Sequence, residues 1–222
     1  MLYLEYMLEA IRLWFLKRRH VETPYNHIVE IYHKKHFDEK MFDRFIDEFA
    51  NMLPKHALVL DAGTGTGGET KKLLAHRLQV KSIDIAEKML VKARKEVPRG
   101  EFIKMDVMNL EFPDNYFDGI WSARTLIHIP TRDQGRVLDG FYRVLKENGI
   151  VCITVLGGEK EGIEPEYYDP THRLTTFFKY FHEGELETYL KNHGFKVLKS
   201  FTSFDKESHE PHLTVIAIKP SY

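Results

Sequence analysis

Residues 60–70 read "LDAGTGTGGET", with four glycines inside six positions. Two registers fit this loop. Gly63, Gly65 and Gly68 satisfy the dinucleotide-binding spacing G-x-G-x-x-G. Asp61, Gly63, Gly65 and Gly67 give D-x-G-x-G-x-G instead. Asp61 discriminates between them. A carboxylate beside a pyrophosphate is repulsive, and the dinucleotide loop relies on neutral backbone donors at a helix N-terminus. S-adenosylmethionine has no phosphate and carries a sulfonium and an ammonium group, which an acid favours, while the helix N-terminus suits its carboxylate. The alternative is that Asp61 is a structural acceptor for the loop amides.

Two further acids follow at similar places. Asp84 closes "KSIDIA", where a carboxylate reaches the paired hydroxyls of a ribose or caps the next helix. Asp106 closes "KMDVMNL", where it can accept from an adenine amino group. Met105, Val107 and Met108 supply apolar walls there, although a methionine beside a strand also reads as ordinary core. Asp61, Asp84 and Asp106 thus mark three successive strand ends on one edge of a sheet.

The elements that must position them alternate. Strands are expected at 56–63, 78–85, 101–107, 116–123 and 149–156, with helices at 68–77, 86–97 and 131–146 between them. Such alternation of short apolar runs and helices means βαβ crossovers and a parallel sheet covered on both faces. Two more strands, 194–204 and 212–220, are separated by too few residues for a crossover and must pair antiparallel. The fold class is therefore α/β, doubly wound, a mostly parallel seven-stranded sheet with a C-terminal antiparallel hairpin. A helical N-terminal extension, residues 1–54, precedes the domain at 55–222. In it, residues 2–19 form an amphipathic stripe, Thr23-Pro24 reads as the start of the next helix, and residues 37–53 repeat the helical pattern up to Pro54.

From about Ala57 onward the chain resembles a class I S-adenosylmethionine-dependent methyltransferase. "VLDAGTGTG", "VKSIDIAEKML", "FIKMDVMNLEFPDNYFDGIWSARTLIHIP", "VLKENGIVCITV" and "GELETYLKNHGFKV" match in the family's order. The resemblance implies S-adenosylmethionine as cofactor. Asp61 and residues 63–67 would hold its methionyl part, Asp84 the ribose, and Asp106 with Val107 the adenine. Residues 122–125 would border the transferring methyl. The implied cofactor set is Asp61, Ala62, Gly63, Thr64, Gly65, Gly67, Asp84, Ile85, Met89, Asp106, Val107, Met108, Ser122 and Ala123. Thr64 stands where many relatives carry cysteine, which leaves binding intact. The Asn/Asp-Pro-Pro-aromatic signature of nucleic-acid amino methyltransferases is absent after the fourth strand.

The acceptor side is less specified. His128 in "RTLIHIP" matches a position where this branch often has histidine, and is the candidate catalytic residue, a base or orienter. It reads equally as a histidine bonded to backbone behind the site. A connection at about 157–182 is expected to be a substrate cap, crowded with aromatics that also serve simply to pack it down. Tyr168, Arg173 and Arg124 are candidate substrate contacts; each arginine also reads as a surface ion pair. In-line transfer from a sulfonium needs a base only if the acceptor must lose a proton. Two other functions stay open: a non-catalytic module that binds the methyl donor, and an NAD-dependent oxidoreductase.

Composition bounds the rest. A chain of 222 residues, 43% hydrophobic and 29% charged with net charge −1, is globular and lacks a global nucleic-acid footprint. The single cysteine, Cys152, excludes an intrachain disulfide and sits in an apolar run as an inert thiol. Lys17 to His20 reads as a helix end rather than a phosphate or lipid site. The first twenty residues are too interrupted by charge for a membrane span and carry their charge on the wrong side for a signal peptide. The expectation is a cytoplasmic monomer or homodimer acting on a small-molecule methyl acceptor, with no metal.

Overall fold

The computed structural model describes residues 21–167, 173–204 and 210–221. The amphipathic stripe at 2–19 and the basic cluster at 17–20 lie outside the described residues. The main sheet holds β1 (Leu58–Ala62), β2 (Gln79–Asp84), β3 (Glu101–Lys104), β4 (Phe117–Ala123), β5 (Leu145–Leu156), β8 (Lys196–Phe204) and β9 (Pro211–Ile218). Their order is β3-β2-β1-β4-β5-β9-β8. The first five pair in parallel, and β9 enters antiparallel between β5 and β8. This is the expected sheet, with the short 204–211 connection forcing the final pair to run antiparallel.

Alternation along the strands builds two cores. Val59, Ile150, Cys152 and Ile216 face one layer; Leu60, Val151, Ile153, Val215 and Ala217 face the other. The first layer is closed by α2 (Asp43–Asn51) and α3 (Gly68–Ala75), through Phe45, Ile46, Phe49 and Leu73. The second is closed by α5 (Thr131–Val144) and α6 (Glu185–Asn192), through Val137, Leu138, Phe141, Leu186 and Leu190. A further helix, α4 (Glu87–Glu96), follows β2 and packs Leu90 and Ala93 against Phe102.

The segment before Pro54 has two parts that differ in packing. Helix α2 is core: Phe49 is fully buried, with its ring centroid 5.7 Å from that of Trp121. Residues 21–36 instead run over the sheet edge. They are helical at 21–27 and again in α1 (Val29–His36), with the break at Ile28 rather than at Thr23-Pro24. A proline is tolerated in a first helical turn, whereas the bend at Ile28 turns its side chain onto Ala86 and Met89. The helix expected over 37–53 is likewise shorter. Residues 37–42 leave helical geometry, so that Glu39 and Phe42 both reach Arg124.

The connection after β5 contains a second, two-stranded sheet. Antiparallel β6 (Glu161–Tyr167) and β7 (Arg173–Lys179) pair from Glu161↔Lys179 to Tyr167↔Arg173. Truncating Phe49 to alanine opens a cavity beneath the sheet next to Gly119. A loss of about 3–5 kcal/mol in unfolding free energy is expected, read from urea denaturation.

Candidate active site

The loop after β1 is held from below by a set of hydroxyls. Thr70 is fully buried and donates to Asp61 Oδ2 at 2.6 Å. With its single proton used, its oxygen can only accept, from Thr64 and Ser82, each at 2.7 Å. Asp61 is therefore spent on the underside of the loop. Burial, then the nearby Glu69, pushes its carboxyl up to about 7. Near neutral pH it is only partly charged, which weakens the electrostatic argument drawn from it. Asp61, Ala62, Thr64, Gly67 and Ser122 do not line the cavity described next.

Above the loop, Gly63 and Gly65 adopt positive φ, +86° and +55°. A Cβ on Gly63 would sit 2.0 Å from Thr125 Oγ1, and one on Gly65 would sit 3.2 Å from the Tyr32 ring. Only glycine satisfies both the backbone and the space. Asp84 accepts from the Gly65 amide and the Ala86 amide, each at 2.8 Å, so it anchors the loop and the turn that leads into α4 without capping that helix. Burial raises its pKa. Two carboxylate oxygens offer about four lone-pair sites, so acceptor capacity remains. Asp106 accepts from the Met108 amide at 2.9 Å in the turn after β3.

Gly63, Gly65, Asp84, Ile85, Met89, Asp106, Val107, Met108, Ala123, Arg124 and His128 all line one cavity of about 1050 Å³ at the carboxyl edge of the sheet. That is at the top of the usual range of roughly 300–1,000 Å³ for one ligand, leaving space for a second molecule. Tyr168 lies outside the described residues, and for Arg173 only its strand pairing with Tyr167 is described.

Arg124 is paired internally. Its Nη2 donates to Glu39 Oε2 at 2.8 Å, its Nη1 lies 3.3 Å from His36 Nδ1, and Phe42 lies under the guanidinium at 5.0 Å. Burial would raise Glu39, yet His36 and Arg124 hold it down at about 2. Arg124 stays firmly charged against its own burial because the acids Glu39 and Glu69 lie beside it. Its backbone has φ +55°, sparsely populated for a non-glycine residue, at the strand end that faces the cavity.

His128 sits in a 3₁₀ turn, Leu126–His128, and joins three parts of the chain. Its Nδ1 lies 2.9 Å from the Phe177 carbonyl, which can only accept, so Nδ1 carries the proton. Its Nε2 then accepts from the Tyr25 hydroxyl at 2.9 Å. Burial lowers its pKa to about 4, so it is a neutral imidazole. Tyr25 and Tyr32, both on the cavity wall, could not be singled out from sequence. Their helical spacing marks only a face, not what that face covers.

A seven-stranded sheet with one inserted antiparallel strand and a cavity at its carboxyl edge is the fold of the class I S-adenosylmethionine-dependent methyltransferases. Residues 59–149 match the family model described as "Methyltransferase domain". The chain is 35% identical over 119 residues to demethylmenaquinone methyltransferase of Thermotoga maritima, covering 54% of this chain and 51% of that protein. It is 30% identical over 194 residues to the chloroplastic 2-methyl-6-phytyl-1,4-hydroquinone methyltransferase of Arabidopsis thaliana, covering 82% and 51%. The chain thus spans about half the length of the curated relatives it matches. Among solved structures, the 1,6-didemethyltoxoflavin-N1-methyltransferase of Burkholderia thailandensis, with bound S-adenosylhomocysteine, superposes with a TM-score of 0.71 at 22% identity. It covers 89% of this chain and 87% of that one. The chain belongs to the class I S-adenosylmethionine-dependent methyltransferases.

The residues present fit that family's cofactor. Side-chain-free backbone rims the cavity at Gly63 and Gly65, Asp84 retains acceptor capacity, and Met89 and Met108 offer an apolar wall. Among the described residues there is no cluster of metal-ligating side chains, and no helix long and apolar enough to cross a membrane.

The raised pKa of Asp61 has a measurable sign. The folded protein holds this proton from the unfolded value of 3.8 up to about 7, so the stability that Asp61 contributes fades as pH rises through that window. Asp61→Asn carries no such dependence. The stability of wild type minus that of the variant should fall by about 3–4 kcal/mol between pH 4 and pH 8, measured by urea midpoints. A constant difference would refute it.

Proposed function

We propose that this chain methylates a small molecule whose body is largely apolar, using S-adenosylmethionine. The cavity carries the reading: one continuous space joins the glycine rim and Asp84 to an apolar region walled by Ile129, Ile163 and Phe177. Gly63, Gly65 and the adjoining loop amides would hold the methionyl part, and Asp84 the ribose hydroxyls. Ile85, Met89, Asp106, Val107 and Met108 would hold the adenine. S-adenosylmethionine supplies, when bound, an electrophilic methyl group on a sulfonium sulfur. The two curated relatives are named for quinone and hydroquinone rings, which supports an apolar aromatic acceptor.

The protein's share of the chemistry is then positioning, water exclusion and, for an acceptor bearing O–H or N–H, proton removal. Tyr25 and His128 are built for the last of these. The Tyr25 hydroxyl donates to His128 Nε2 at 2.9 Å, which fixes the phenol's orientation at the cavity wall. A proton taken up by the phenol oxygen can be matched by one passed to Nε2. Burial disfavours the imidazolium, so His128 serves first to orient the Tyr25 hydroxyl and receives a proton only as the acceptor's charge is transferred away. Arg124, locked to Glu39, instead fixes the N-terminal segment that supplies Tyr25 and Tyr32.

S-adenosylhomocysteine at about a hundred times its dissociation constant should stabilise the protein by about 2.7 kcal/mol in a thermal-shift series, and NAD should not. Asp84→Ala, which removes both the ribose acceptor and the tie to Gly65, should abolish that shift at the same ligand concentration. A shift from NAD alone would sink the reading. Failure to form S-adenosylhomocysteine on a panel of hydroquinones, phenols and aromatic acids would leave the binding-module alternative standing. Tyr25→Phe should lower kcat by about 10²-fold on hydroxyl acceptors, the low end of a general-base contribution, with little change in S-adenosylhomocysteine affinity. An equal effect on an acceptor that loses no proton would assign Tyr25 to packing alone.

A further inference from the structure

The cavity continues past the residues proposed for the cofactor, along Ile129 and Pro130 to the first turns of α5. Arg132 and Arg136 both line it there, four residues apart and hence on one face of the helix. Two acids share this rim, and each has a partner. Glu161 accepts from the Thr131 amide at 3.2 Å and from the Thr131 hydroxyl at 2.6 Å. Asp133 lies 3.5 Å from Arg132 Nε in an exposed pair. Arg136 has no hydrogen bond or ion pair among the described residues.

The cavity is also electrically polarised. Asp84 and Asp106 follow β2 and β3, on one side of β1, whereas α5 follows β4 on the other. The β2–β3 end has only acids in its charged lining, Asp84 and Asp106, whereas the α5 end sets Arg132 and Arg136 against Asp133 and Glu161. A negatively charged group on a second ligand is therefore favoured at the α5 end. The surfaces between are apolar: Phe177, and Ile163 opposite it in the β6–β7 register. Ile163 is 58% exposed although it lines the cavity, so part of this wall is presented to whatever enters.

We infer that this half of the cavity takes an acceptor whose apolar body carries one carboxylate or phosphate, received by Arg136 with Arg132 beside it. The inference rests on the methyltransferase reading of the cavity. It adds to that reading the charge of the acceptor and the direction in which it lies: oxoanion toward α5, reacting atom toward the glycine loop. A guanidinium reads planar oxoanions with paired hydrogen bonds, which a neutral alcohol cannot reproduce.

The full chain, loaded with S-adenosylhomocysteine, is titrated calorimetrically with 3-phenylpropionate, benzyl phosphate and 3-phenylpropanol. The acids should bind about five- to tenfold more tightly than the alcohol at low salt, with the advantage shrinking as salt is raised. Arg136→Ala should remove that advantage, and Arg136→Glu should reverse it. Whichever acid binds more tightly identifies the oxoanion. Equal affinities in the wild type overturn the inference, as does an advantage unchanged in Arg136→Ala or no binding of any probe at its solubility limit. Binding of S-adenosylhomocysteine is measured first. Its absence fells the methyltransferase reading and this subsite with it, whereas its presence with no preference for acids overturns the subsite alone.

Discussion

The Thr70 hydroxyl is the contact on which the site's geometry rests. A hydroxyl has one proton and two lone pairs, and here all three are engaged, on Asp61, Thr64 and Ser82. Those partners come from β1, the glycine loop and β2, so one buried atom ties together the pieces that must not move relative to one another. The loop is then pulled down onto the strands. Its upper surface is backbone, and the Gly65 amide turns toward Asp84. A buried polar network of this kind is stabilising only when fully satisfied, and this one is.

The second constraint works across the mouth of the cavity. Arg124 and Glu39 form an ion pair beside His36 beneath the N-terminal segment, with Phe42 against the guanidinium. Buried ion pairs seldom add much net stability over an apolar replacement, but breaking one leaves a costly unpaired charge. The pair therefore acts as a locating pin. It sets where residues 21–36 cross the sheet edge, and so where Tyr25 and Tyr32 meet His128 and Gly65. Surface pairs such as Lys92 with Glu30 and Lys104 with Glu22 lie along the same segment and contribute less, being exposed and screened.

His128 shows how a single side chain changes meaning with its surroundings. From sequence it is a base or a structural histidine, and the structure displays the hydrogen bonds of a neutral ring that links three segments. Nδ1 is bonded to a backbone carbonyl of β7, while Nε2 is kept neutral and turned to a phenol on the cavity wall. Burial suppresses the imidazolium, so one nitrogen donates and the other accepts, as these two partners require.

The strands with their parallel or antiparallel sense, the glycine loop and the acids at the strand ends were legible in the sequence because each follows from local rules, whereas the strand order came only from the structure. Short apolar runs make strands buried on both faces, a seven-residue gap forbids a crossover, and glycine clusters mark close approach of backbone. The helix boundaries before residue 54 were less legible. Ile28 and residues 37–42 depart from helix to satisfy contacts with Met89 and Arg124, which lie far along the chain. What only the tertiary structure decided was which face each polar group turns to. Asp61 turns under the loop, Asp84 stays at the cavity, Arg124 pairs inward, and Tyr25 arrives at His128. Spacing along a chain sets which residues share an edge, but hydrogen-bond saturation and burial set which of their atoms remain available, and those are settled only when distant segments pack together.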